Sequence, residues 1–156
     1  MRGGKRLAVA LAVALALAPA VVPVSAGAGG PALDYVLNCQ GCHLPDGRGM
    51  AGKVPSFRGQ VARFLSVPGG RAFLVQVPGV ARANLSDERI VALLNWLLPR
   101  FDSDHLPAGF RPYTADEVAR LRATPEVRVA ARRARLIAAI EDLKELEKSS
   151  NLSSKN

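Results

Sequence analysis

Cys39-Gln40-Gly41-Cys42-His43 is the feature that most constrains this chain. Two thiols two residues apart, followed at once by an imidazole, concentrate the metal-binding and redox chemistry of the whole sequence in five positions. Four readings meet there. A thioredoxin-like dithiol needs a βαβ frame, and no convincing strand pair surrounds the motif. A structural zinc site needs four ligands, and outside the motif only His105 is left to help, since there are two cysteines and two histidines in all. A disulfide across two intervening residues is strained and leaves His43 without a role. Covalent haem attachment uses every element of the spacing. Two thioethers reach the two vinyl groups of one haem, and the adjacent imidazole swings under the iron as proximal ligand. The motif therefore predicts one covalently attached haem c with its iron, on Cys39, Cys42 and His43.

Haem is attached covalently outside the cytoplasm, and the N-terminus reads as an export signal. Arg2, Lys5 and Arg6 precede an unbroken apolar run from Leu7 to Ala18, and Pro19 and small residues lead to Val24-Ser25-Ala26. Residues 1–26 are thus expected to be a signal peptide, cleaved after Ala26 or Ala28, and the protein to be periplasmic. The rival reading is an uncleaved anchor, but the run is shorter than the roughly 20 residues that span a bilayer. The mature form is expected to carry no stable membrane span. Removing the three basic residues lowers the net charge from +8 to +5. A basic chain ordinarily suggests nucleic acid, but an exported one rarely meets it, so no nucleic-acid partner is expected.

Beyond the signal the chain reads as all-α, helices joined by Gly/Pro loops. A short helix with Pro31 in its first turn runs into Cys39, and residues 44–59 are glycine-rich loop. Gln60–Leu65 is one or two helical turns. Arg71–Val77 is undecided between helix and extended chain. Ser86 caps the clearest helix, with Asp87 and Glu88 at its positive end and Leu85 and Ile90 as a hydrophobic staple; Pro99 is expected to end it. Thr114 and Glu117 form a capping box with Tyr113 and Val118 as staple. A last amphipathic helix is expected from about Glu126 to Lys148, its apolar stripe being Val129, Leu136, Ile140 and Leu143. Its arginines 128, 132, 133 and 135 read as a solvated face first and a docking patch second. The predicted organisation is a haem domain over 27–100, a helical extension over 101–148 and a polar, disordered tail over 149–156.

From Pro31 to Leu98 the chain resembles the class I c-type cytochromes, the mitochondrial-cytochrome-c-like family. The likeness rests on a helix leading into Cys39-Gln40-Gly41-Cys42-His43, on the loop Asp46-Gly47-Arg48-Gly49 with Gly52, on Pro55 twelve residues after His43, and on a final helix opening Leu85-Ser86-Asp87-Glu88. It implies a helical fold around one covalent haem, with the Pro55 carbonyl accepting from His43 Nδ1–H and strengthening it as a donor to iron. It also implies a distal methionine from the loop before the last core helix. Here that loop, residues 66–84, has neither Met nor His. Met50 lies in the glycine loop, on the proximal side, and otherwise packs the haem edge. His105 lies beyond Pro99 and otherwise is solvated surface beside two aspartates. Gln76 is a weaker oxygen ligand. The remaining alternative is an iron with no strong protein ligand on that face.

The expected function is transfer of single electrons to or from a redox partner protein, such as a dehydrogenase or oxidase, with no catalytic residues. An open iron instead suits a protein that binds a gaseous ligand or peroxide, although Arg71, Gln76 and Arg82 are the only strong polar groups in the distal loop. The extension either wraps the small core or docks the chain as the dedicated haem subunit of a dehydrogenase complex. Oligomeric state is left open.

Overall fold

The first described helix, α1 (Pro31–Asn38), starts at a proline whose fixed φ suits the first turn. A computed structural model describes residues 29–154, so the signal-peptide expectation for residues 1–26 lies outside the described residues. Cys39 ends α1 and caps α2 (Gln40–His43). A loop then leads to a 3₁₀ turn at Ala62–Ser66. The segment left undecided by sequence is helical, α3 (Gly70–Gln76), and begins on glycine for a steric reason: a Cβ on Gly70 would lie 1.8 Å from the Phe64 carbonyl oxygen. After α4 (Pro78–Ala81) comes α5 (Asp87–Asp102), with the Ser86 side chain accepting from Arg89 N–H and both staple residues, Leu85 and Ile90, buried.

Pro99 does not end α5. The helix runs on to Asp102, across the expected boundary at residue 100. A proline forfeits one backbone bond, whereas continuing the helix seats Phe101 among Tyr35, Phe57 and Trp96 and delivers a buried anchor. That anchor is Asp102, whose carboxylate accepts from Ala62 N–H at 2.8 Å and lies 2.5 Å from His105 Nδ1. A 3₁₀ turn at Ser103–His105 follows. Thr114 caps α6 (Ala115–Arg122) by accepting from Glu117 N–H.

The last helix, α7 (Val129–Ser153), is displaced toward the C-terminus relative to expectation. At its start Glu126 is drawn into other work: its N–H donates to Gln76 O at 2.8 Å and its carboxylate accepts from Arg128 N–H. At its end the polar residues from 149 onward are helical as far as Ser153, in place of the expected disorder, and Ser149 and Ser150 hydroxyls bond back to the Leu146 and Glu147 carbonyls. Adding a turn to an existing helix avoids the cost of nucleation.

The main core joins both parts of the chain. Ile90 and Leu98 of α5 are fully buried together with Val75 of α3 and Val118 of α6, and Tyr113 is 2% exposed. Each such side chain contributes about 2 kcal/mol by leaving water. A second cluster sets Leu136 and Ile140 of α7 on Phe64, Val67 and Phe73. Beyond it α7 leaves the body, and Leu146 and Leu152 are exposed. Buried Asp34 pairs with Arg89 and ties α1 to α5. Among the described residues no helix is long and apolar enough to cross a membrane.

Candidate haem-attachment site

The motif sits where α1 meets α2. Cys39 is half-buried and Cys42 exposed, both as free thiols. Burial, with Asp34 and Cys42 adding to it, pushes the Cys39 thiol up to about 11. His43 closes α2, and its Nδ1 lies 3.1 Å from the Pro55 carbonyl oxygen. A carbonyl only accepts, so Nδ1 carries the proton and Nε2 keeps a lone pair. Burial holds the imidazolium below its ordinary pKa, partly opposed by the bond to Pro55, which favours the neutral ring that iron needs. Phe57 stacks on that ring with centroids 3.8 Å apart and planes 14° off parallel.

The loop from His43 to Phe57 holds itself in shape. Gly49 N–H donates to His43 O at 3.0 Å, Met50 and Val54 exchange backbone bonds, and Phe57 N–H donates to Gly47 O at 2.7 Å. Gly49 has φ +66°, and a Cβ there would come within 2.4 Å of Val54 O and 2.6 Å of Pro55 O. Only glycine lets the segment carrying Pro55 pass that close. Leu44, also at positive φ (65°), is secured because its carbonyl accepts from the Tyr35 hydroxyl at 2.6 Å and from Gly47 N–H. The Tyr35 hydroxyl is correspondingly pushed up to about 12, mainly by burial.

The distal candidates are placed as follows. Met50 lies in this same loop, hairpinned to Val54 next to Pro55, and is 38% exposed. His105 is fastened through Nδ1 to Asp102 at the far end of α5. Gln76 is occupied on the outside: its amide donates to Thr124 Oγ1 at 3.0 Å and its oxygen accepts from Arg132 at 2.9 Å. Arg71 forks onto Glu117 at 2.7 and 2.8 Å, donates to the Arg111 and Pro112 carbonyls, and lies over the Tyr113 ring, 3.9 Å from its centroid. Arg82 is exposed. Arg132, expected on a solvated face, instead also bonds Glu126 and Gly69 O.

The donor set suits haem c. Two free thiols and a neutral imidazole with an available Nε2 stand on one helical turn, and half-buried Cys39 and Phe57 border the core there. Among the described residues no three His, Cys, Asp or Glu side chains converge to cage a metal ion, which removes support from the zinc reading. Bound there, haem supplies one-electron redox chemistry at its iron.

The described residues form helices around this motif, and the chain belongs to the class I c-type cytochromes, with haem c as its cofactor. It is similar to cytochrome c-552 of Thermus thermophilus, at 34% identity over 116 residues, covering 61% of this chain and 88% of the relative. The cytochrome c-552 of a named strain of Thermus thermophilus matches at 34% over 116 residues, covering 61% of this chain and 78% of the relative. No family model matches the chain. Since 61% of 156 residues is about 95, roughly 21 of the 116 aligned positions have no residue of this chain opposite them.

Sequence reasoning missed three features. The Asp34–Arg89 pair and the Arg71–Glu117 fork join residues 55 and 46 positions apart. The third is Arg122, which reaches the α4–α5 link from 37 positions away. The only signal for the first was an aspartate beside Tyr35 in an otherwise apolar stretch of α1.

Proposed function

We propose that this chain is an exported monohaem electron carrier, with Cys39 and Cys42 as thioether donors, His43 as proximal iron ligand and Pro55 orienting it. The observation that carries this reading is the engagement of the distal polar groups. Proton-transfer chemistry on a bound ligand wants a free acid–base group near the iron. Of the three strong polar groups of the distal loop, Arg71 and Gln76 are bound to the extension and Arg82 is exposed. What remains is electron exchange through the haem edge, for which the protein needs only to fix His43, exclude water and present a surface to a partner. The net positive charge of the chain suits an acidic redox protein, met in a weak and transient complex.

The test is stopped-flow oxidation of the ferrous protein by a small inorganic oxidant, with peroxide turnover assayed in parallel. Fast one-electron oxidation without peroxidase turnover supports the reading; sustained peroxide turnover overturns it. Export is tested by sequencing the N-terminus of protein from the periplasmic fraction, which should begin at Gly27 or Gly29.

A second reading follows from the α4–α5 link, Arg82–Ser86. It is short and offers no Met or His, Met50 belongs to the proximal loop, and His105 is tied to Asp102. We propose that the iron has no strong protein ligand on the distal side. Such an iron still passes electrons, and it also binds CO or imidazole.

A further inference from the structure

Arg122, the last residue of α6, directs its whole guanidinium at one stretch of backbone. Its Nε donates to the Ala81 carbonyl at 3.2 Å, Nη2 to Ala83 O at 2.8 Å, and Nη1 to Leu85 O at 2.9 Å and Asp87 Oδ1 at 2.6 Å. These acceptors run through the end of α4, the link and the first residue of α5. The Arg122 side chain is 16% exposed, so water competes little for the bonds. A helix end and a turn leave carbonyls without partners, and a planar fork with five N–H groups satisfies several at once, which an ammonium on a flexible stem does not. Only two main-chain bonds, Arg82 N–H to Pro78 O and Ala83 N–H to Val80 O, tie the link's own N–H groups to α4.

We propose that Arg122 is a positioning residue for the distal wall: it pins the α4–α5 link and thereby sets how readily a small ligand reaches the iron. The proposal rests on the open distal position argued above. A pinned link keeps one shape on the face that the family resemblance makes distal, whereas a released one samples several, some of which clear a path. Arg122 does this from the extension, and the Arg71–Glu117 fork does not share the task, because it fastens α3 and touches no atom of the link.

The experiment is CO rebinding after flash photolysis of the full-length ferrous holoprotein, in the wild type, Arg122→Gln, Arg122→Lys and Glu117→Gln. The expected result is association faster by roughly threefold or more in Arg122→Gln, a smaller rise in Arg122→Lys, and a wild-type rate in Glu117→Gln, with unchanged pyridine haemochrome spectra throughout. Arg122→Lys keeps the charge and serves as the test if Arg122→Gln fails to accumulate. Wild-type rates in both Arg122 variants overturn the proposal while leaving the open iron intact. An equal acceleration in Glu117→Gln also overturns it, because general loosening of the extension then suffices. A wild-type reaction limited by release of an internal ligand, at a rate independent of CO concentration, contradicts the open distal position and the proposal together.

Discussion

The loop that carries Pro55 and the segment from Gly69 to Asp87 are anchored in opposite ways. From His43 to Phe57 nearly every bond that fixes the site closes within the loop: Gly49 to His43, Phe57 to Gly47, and His43 to Pro55 over twelve residues. From Gly69 to Asp87 the anchoring side-chain bonds run to the extension, at separations of 35 to 63 residues. A local loop takes its turn geometry mostly from its own few residues, with one outside bond, from the Tyr35 hydroxyl to Leu44 O, holding its start. The other segment is only as rigid as the docking of α6 and α7. The lesson is that the surroundings of His43 and the shape of the segment leading into α5 are controlled by separate parts of the chain.

The comparison can be broken in four places. The largest effect is expected from Cys39→Ala combined with Cys42→Ala, which should abolish haem retention after acid-acetone extraction; haem that stays attached would remove the motif from the account. Next is Gly49→Ala, which forces a side chain into a left-handed backbone position against two carbonyl oxygens. It should cost about 2–3 kcal/mol and disturb the haem spectrum, both read in one thermal melt followed at the Soret band. Glu117→Ala leaves Arg71 with no carboxylate and should cost about 2 kcal/mol while leaving the ferric and ferrous spectra as they are. If the two spectral outcomes were reversed, the division between local and remote control would be wrong.

The smallest effect is in acid. Hydrogen bonding to Arg71 holds the Glu117 carboxyl below the usual carboxylate range. The folded state therefore binds that proton less readily than the unfolded chain, and the contribution is present above the unfolded value of about 4.3. It is lost as pH falls through the folded value. Near-ultraviolet circular dichroism of the extension's Tyr113 should show a loss of packing below about pH 4, and Glu117→Gln should flatten the pH dependence of the melting temperature there. An unchanged slope in that variant would remove Glu117 from the acid response.

Local anchoring is also what makes a region legible in sequence. The five-residue motif is legible from its own spacing, and the glycines that turn the loop and Pro55 lie close enough to it for the family resemblance to imply their roles. The Ser86 and Thr114 caps are readable for the same reason, since a cap bonds within three residues of itself. Pro99 misleads because the local penalty of a proline takes no account of Phe101 and Asp102, whose partners Tyr35, Phe57 and Ala62 lie 40 or more residues away. Arg71, Gln76 and Arg132 read as free polar groups because most of their partners lie 40 or more residues away in the chain. The end of α7 reads as a tail because its composition is polar, although a helix already running continues through such residues. Apart from that tail, long-range pairing decides each of these, and one sequence carries little trace of it.

The central claim, that the site is built for a strong proximal bond and leaves the opposite face without a methionine or histidine, is tested most directly by the optical spectrum of the purified holoprotein, oxidised and reduced, with and without CO. The account predicts a high-spin ferric form and a ferrous form that takes up CO without delay. A low-spin ferric spectrum carrying a far-red methionine–iron charge-transfer band, with a ferrous form that resists CO, would contradict it.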